Sequence, residues 1–496
     1  MKKDKFYFSV STNAFQIEGG RNLHGRTDSL WDWFTKTYYH IPPVNSTARE
    51  INSIVEASDF YHKYPSDVKI LSKLGVDAFI YNLDWARVFP TDGTKINPMG
   101  IQFYDRVFSE LVAGNVKPIP ILFHWDTPMW AEIKGGWTNR EILTSFKNYC
   151  AAMFKYLGKY TDIWFVNDEN KSFTVDGYLT GQFPPCFQDE NAFVKAVHHL
   201  ALSGAIAKAE FKKAKELGYV SPDAILGIDD DWSPPVIMAG VDADQKLIDN
   251  YNAWMRDLWL DPNLKGTYPQ EFLDYIKSKK LDLKITPADL KLLQDNKLDF
   301  IGWNFYRPYF ITSKTALIPE DQLHRPPGKL PFGDFQIVLP KNHPHYTKWM
   351  WPIAPQYLQE GLQGLKAKYD LPVFIVESGF GDFDDKSQEL ICDLDRIAYL
   401  QGMLTEVKAA RTKDLNLIGY SIWTYCDIFS PSAGYRKDYG LVSVDFNSPI
   451  KERKPKLSYV WYQQVIESRG EDVTVNEKLL VKKLQELLKN WDIFLK

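Results

Sequence analysis

Two glutamates, Glu169 in WFVNDEN and Glu377 in IVESG, each follow a short run of β-branched and aromatic residues. Carboxyls set on either side of a glycosidic bond can work as a pair. One protonates the leaving oxygen and the other attacks the anomeric carbon, with about 5 Å between them when configuration is retained. An ion-pair role for either glutamate is the alternative. Other polar and aromatic side chains stand at the ends of similar runs: Gln16 and Glu18, Trp85 and Arg87, His124 with Trp125 and Asp126, Asp168, Asp229 to Asp231, Asn304 with Tyr306, and Trp423 with Asp427.

The elements that must position these groups are legible from period. Runs suited to buried strands occur at Phe6 to Val10, Ala78 to Leu83, Pro118 to Phe123, Ile163 to Val166, Ala224 to Ile228, Phe300 to Trp303, Val373 to Val376 and Ile418 to Thr424. Between them lie segments with helical spacing, such as Phe103, Val107, Phe108 and Leu111, or Phe146, Tyr149, Met153 and Leu157, the latter followed by Gly158 as a C-cap. Alternating buried strands and amphipathic helices pair in parallel, and eight such units predict an α/β fold, a single (β/α)8 TIM barrel with long βα loops. All eight strand ends then converge on one face, where barrels build their sites. The Pro- and Gly-rich stretch Ser313 to Pro344 reads as a loop over the barrel mouth. Residues 1–470 are assigned to the barrel and 471–496 to a C-terminal extension, in which Leu479, Leu480, Leu484, Leu487, Leu488 and Trp491 form one helical face. That face packs on its own barrel or, alternatively, on another copy in a homo-oligomer.

Composition narrows the partner. Of 496 residues, 59 are Lys or Arg and 63 Asp or Glu, a net charge of −4 that argues against a nucleic-acid footprint or a polybasic membrane surface. Aromatics reach 15%, with 16 Trp and 27 Tyr, which suits a cleft that stacks on the apolar faces of sugars as well as an ordinary core. Cys150, Cys186, Cys392 and Cys426 are widely spaced, so neither a disulfide framework nor a zinc site is indicated. The N-terminus lacks a signal-peptide core and no run of 18 apolar residues occurs. A cytoplasmic protein acting on a small molecule is expected.

The segments SVSTNAFQIEGG, LFHWDTP, WFVNDEN, IVESG and GYSIWTYCDIF resemble, in order, the signature blocks of glycoside hydrolase family 1, the retaining β-glycosidases, from Phe6 to about Gln464. The resemblance implies Glu169 as acid/base, Glu377 as nucleophile, and no metal or organic cofactor. Gln16, His124 and Trp423 match positions that bind the non-reducing sugar, and Asn304 and Tyr306 match the pair near the nucleophile. Ordinary members carry a Glu-Trp pair after strand eight; Ser430 and Pro431 stand there instead. Ser430, Lys437 and Tyr439 have the spacing seen in the 6-phospho-β-galactosidases, and ASDFYHKYPSD is similar to that subgroup too. A hydroxyl, an ammonium and a phenol are all donors to a 6-phosphate that a carboxylate would repel.

Some positions depart from the pattern. The family arginine beside the nucleophile corresponds to Ile80, and its loss should raise the Glu377 pKa. Asp168 stands where the family has an asparagine that donates to the sugar 2-hydroxyl, and as a carboxylate it should raise the Glu169 pKa. Ser378 and Asn170 replace Asn and Pro, and Pro431 leaves gluco or galacto preference open. Three functions follow: hydrolysis of a phosphorylated β-glycoside, phospho-sugar binding with weak or no hydrolysis, and hydrolysis of an unphosphorylated β-glucoside.

Overall fold

Eight parallel strands close on themselves in the computed structural model, which describes residues 6–37, 54–238, 245–318, 330–340 and 343–495. They are β1 (Tyr7–Thr12), β2 (Ala78–Asn82), β3 (Lys117–Phe123), β4 (Ile163–Asn167), β5 (Ile225–Asp230), β6 (Phe300–Asn304), β7 (Val373–Glu377) and β8 (Leu417–Trp423). Each pairs with its neighbour in chain order, and β8 returns to β1 with Ser11 opposite Trp423. The predicted (β/α)8 barrel is therefore the fold. Its strands are apolar on both faces because one side meets the helices and the other fills the barrel. Ile80, Ile121, Phe165, Phe300, Phe374 and Val376 form that inner plug.

The helices obey the expected period. Asn97 caps the helix Pro98–Ala113 by accepting from the Met99 N–H at 3.2 Å, and Phe103, Val107, Phe108 and Leu111 are buried along one face. In the helix Ile142–Leu157, Phe146, Tyr149, Met153 and Leu157 are likewise buried. Gly158 is the C-cap, as expected, and its N–H donates to the Phe154 carbonyl. Its φ of −58° is not the left-handed value of a glycine cap, and the chain runs on into a short turn of 3-10 helix. A Cβ there would collide with the Tyr219 carbonyl, so the glycine serves close backbone approach.

The stretch from Ser313 to Pro344 is not a plain loop. Phe335–Val338 pairs antiparallel with Tyr309–Ser313, which pairs in parallel with Pro235–Ile237, making a small sheet outside the barrel. Residues 319–329 and 341–342 of that stretch lie outside the described residues. Near the C-terminus, helix Glu477–Leu488 buries Leu480 and Leu484 against its own chain, each contributing roughly 1.5–3 kcal/mol. Leu479 is 44% exposed, and Trp491 is buried and donates to the Arg453 carbonyl at 2.6 Å. No helix of the described residues is long and apolar enough to cross a membrane.

Candidate active site

The carboxyl ends of β4, β6 and β7 bring the two glutamates together. After β4 the backbone takes a left-handed turn at Glu169 (φ 47°), a conformation that an ordinary residue adopts at some cost. The turn is held on both sides. The Glu169 N–H donates to the Asp229 carbonyl at 3.2 Å, and its own carbonyl accepts from Trp125 Nε1 at 3.3 Å and from the Phe173 N–H at 3.0 Å. Across the barrel, the Glu377 carbonyl accepts from the Phe305 N–H at 2.9 Å, and Glu377 lies in register with Asn304 where the β6/β7 pairing shifts.

Side-chain contacts join most of the predicted residues. Asn304 Nδ2 donates to Asp168 Oδ1 at 2.9 Å and to Glu169 Oε1 at 3.1 Å. Tyr306 donates to Glu377 Oε2 at 2.6 Å, and its ring is steered by Tyr399, whose hydroxyl donates to the Tyr306 carbonyl at 2.9 Å. His124 Nδ1 lies 3.0 Å from Asp168 Oδ2, out of line for a hydrogen bond. Trp423 stands beside His124 with ring centroids 6.3 Å apart. Gln16 is turned to one side, its amide donating to the Phe429 carbonyl at 2.6 Å, immediately before Ser430.

This acid cluster is short of positive charge. Burial, then the charges of Asp231, Glu377 and Asp168, push the Glu169 carboxyl well above the usual range, against the Asn304 hydrogen bond. Burial and Asp168 do the same to Glu377, against the bond from Tyr306. Asp229, fully buried on β5, is pushed up by burial, Asp168 and Glu377. No lysine or arginine contributes to any of these three shifts. Ile80 lies in the apolar plug of the barrel, so β2 offers the pocket no cation. The expected rise at both glutamates is found, with burial as its largest cause.

The opposite charge gathers a short distance away. Lys437 is 2% exposed and makes no ion pair among the described residues. Its Nζ lies 3.9 Å from the Trp351 ring centroid, 4.8 Å from Tyr439 and 5.1 Å from Trp349. Arg307 Cζ stands 4.5 Å from the same Trp351 ring. Burial and the Arg307 charge push the Lys437 ammonium down, and burial and the Glu377 charge push the Tyr439 phenol up. Gly381 backs the lysine, and a Cβ on that residue would fall onto the Lys437 Cε. Ser430 is buried in a tight bridge in which its N–H donates to the Gly434 carbonyl at 2.8 Å.

Sequence reasoning did not single out Arg307, Trp349 and Trp351 or choose Asp229 from its run of three aspartates. Arg307 adjoins Tyr306, which was a usable signal. For metal binding, His124, Asp168 and Glu377 offer donor atoms within 4.8 Å of one another.

A closed parallel barrel with an acid pair at the carboxyl ends of its fourth and seventh strands is the architecture of a barrel glycosidase. The chain belongs to glycosyl hydrolase family 1, whose model matches residues 2–471, and it is a hydrolase of β-glycosides. It is 32% identical to the aryl-phospho-β-D-glucosidase BglC of Bacillus subtilis, over 94% of this chain and 98% of that one. It is also 31% identical to β-glucosidase A of Acetivibrio thermocellus, again over 94% and 98%. The family 1 β-glucosidase of Thermotoga maritima superposes with a TM-score of 0.83 at 27% identity, covering 95% of this chain and 98% of that structure.

Proposed function

We propose that the protein is a retaining 6-phospho-β-glycosidase of the cytoplasm, taking a small phosphorylated β-glycoside. The observation that carries this reading is Lys437, a buried ammonium that makes no ion pair among the described residues, walled by Trp349, Trp351 and Tyr439 with Arg307 beside it. The Arg307 guanidinium and the Lys437 ammonium repel one another, and a phosphate dianion offsets that repulsion while accepting hydrogen bonds. It would also restore the charge that burial withdraws from Lys437. Tyr439 and Ser430 complete the donors.

The chemistry then runs through the two glutamates. Glu169 holds a proton because burial and its acidic neighbours raise its pKa, and delivers it to the glycosidic oxygen as that bond breaks. Glu377, oriented by Tyr306, attacks the anomeric carbon and forms the glycosyl ester. Glu169, now ionised, takes a proton from water, whose oxygen displaces Glu377 as a carboxylate, so that Glu169 is again protonated and Glu377 again ionised. His124, Asp168, Asn304, Gln16 and Trp423 bind the sugar ring.

Turnover of 4-nitrophenyl 6-phospho-β-glucoside and β-galactoside, beside the unphosphorylated glycosides, tests the reading. Preference for the phosphorylated pair is expected; equal or better turnover of the plain sugars rejects it in favour of a β-glucosidase. A second reading, phospho-sugar binding without hydrolysis, is favoured by the missing cation at Ile80. Binding of glucose 6-phosphate without turnover of either phosphoglycoside across pH 5 to 8 would establish it.

A further inference from the structure

The acid cluster holds more acceptors than a neutral sugar can satisfy. Asp168 and Asp229 are fully buried and His124 and Glu377 nearly so. Among the described residues, no nitrogen or hydroxyl donates to Asp168 Oδ2, to either carboxyl oxygen of Asp229 or to Glu377 Oε1, and the Asp168 and Asp229 carboxyls face each other. These oxygens are acceptors that the described residues supply with no such donor, and Glu377 is a carboxylate when it is ready to attack. Among the described residues, the basic group in direct reach is His124 Nδ1, 3.0 Å from Asp168 Oδ2. Lys171, the nearest lysine on the β4 side, is already paired with Asp231 at 2.9 Å.

The position of Asp168 says which part of a sugar it meets. With the anomeric carbon over the Glu377 carboxylate and the C6 phosphate at Lys437, the ring has two atoms next to the anomeric carbon. One is the ring oxygen, which carries no substituent, and the other is C2. Asp168 follows β4 and Lys437 follows β8, four strands away in the closed barrel, so an Asp168 oxygen within 4.8 Å of the attacking carboxylate faces the C2 substituent. A C2 hydroxyl brings one proton and no charge to two carboxylates. A C2 ammonium brings three N–H donors and one positive charge, enough to reach both Asp168 Oδ2 and Glu377 Oε1 with charge of the opposite sign.

We propose that the substrate is a 2-amino-2-deoxy-β-glycoside 6-phosphate, whose C2 ammonium is gripped by Asp168 and supplies the pocket with the positive charge that the chain itself omits. The ring orientation used here rests on the phosphate reading given above. An N-acetylated sugar is neutral at C2 and lacks this complementarity, and a divalent metal on His124, Asp168 and Glu377 would hold the nucleophile off the anomeric carbon.

Four 4-nitrophenyl β-glucosides, with hydroxyl or amine at C2 and with or without a 6-phosphate, separate the two ideas. The amine is expected to raise kcat/KM roughly 10- to 100-fold within each phosphorylation state. Equal or better turnover of the C2-hydroxyl compounds overturns the amine inference, whereas a phosphate with no effect overturns only the phosphate reading. Asp168→Asn should invert the C2 preference, with hydroxyl turnover rising as amine turnover falls; an unchanged preference rejects the role given to Asp168. If that variant does not fold, calorimetry on the unaltered protein decides. Glucosamine 6-phosphate should bind at least about tenfold more tightly than glucose 6-phosphate, before and after dialysis against a chelator. Equal binding, or a difference abolished by the chelator, overturns the proposal, the latter in favour of a metal.

Discussion

Two buried acid clusters lie at the carboxyl end of this barrel and are built on opposite principles. In one, behind β7 and β8, Asp384, Asp393 and Asp427 meet Arg396, Lys386 and Lys456. Lys456 Nζ lies 2.7 Å from Asp427 and Lys386 3.1 Å from it, and Arg396 bonds both Asp393 and Asp384. Burial pushes Asp384 and Asp427 up, but these cations outweigh it and hold both below their ordinary values. In the other, Asp168, Glu169, Asp229 and Glu377 have His124, an amide and a phenol. No lysine or arginine is among the causes that oppose burial at Glu169, Asp229 and Glu377, and these three keep their protons more tightly. Similar side chains thus give a brace in one place and, in the other, the groups proposed above to react, and the difference lies in the counterions.

The contrast can be broken from either side. Glu377→Gln should lower kcat on phosphorylated aryl glycosides by roughly 10⁴-fold or more, since a nucleophile is not replaced by its neighbours; steady-state assay of purified variant measures it. In the braced cluster, Lys456→Met leaves Asp427 and Asp384 short of a buried partner and should destabilise the protein by about 3–5 kcal/mol in urea unfolding. Lys437→Gln should reduce kcat/KM for the phosphorylated substrate by about 10²-fold and leave the plain glycoside within a few-fold, a split that a general folding defect would not give.

The pH dependence sharpens the comparison further. Attack needs Glu377 ionised and leaving-group departure needs Glu169 protonated, so raised values at both move each limb of the kcat/KM profile upward from the ordinary carboxylate range. Removing the Asp168 charge by Asp168→Asn should move both limbs down by roughly one pH unit. The smallest effect is on stability. A carboxyl whose folded pKa is raised contributes stability below its unfolded pKa near 4.3, and that contribution is lost as pH rises through the folded value. Glu377→Gln should therefore raise the unfolding free energy at pH 8 by about 1–2 kcal/mol and change it little at pH 4. The braced Asp427 has the opposite sign, its stabilisation vanishing as pH falls through its lowered value.

The barrel was legible because each strand is a short apolar run and each helix keeps its 3.6-residue period, as Phe103 to Leu111 illustrates. The glutamates were legible because each terminates such a run, and the family blocks fixed which residues mattered. Gly158 caps its helix as expected, but the reason for a glycine there, close approach rather than a left-handed turn, was not legible because it depends on the position of Tyr219. The strand Phe335–Val338 was missed because its partner, Tyr309–Ser313, supplies the reason for its existence and lies across an interruption rich in proline. Arg307, Trp351 and Lys437 meet at one ring although they are distant along the chain, and no period in the sequence encodes that meeting.

Gly381 gives position 381 an influence out of proportion to its size. The stem of Lys437 occupies the volume that any side chain on that residue would claim. A single methyl group there would evict the ammonium from its aromatic seat without touching substrate, backbone register or either glutamate. Selectivity could thus drift from charged to uncharged sugars through one silent neighbour, with the reactive pair left intact.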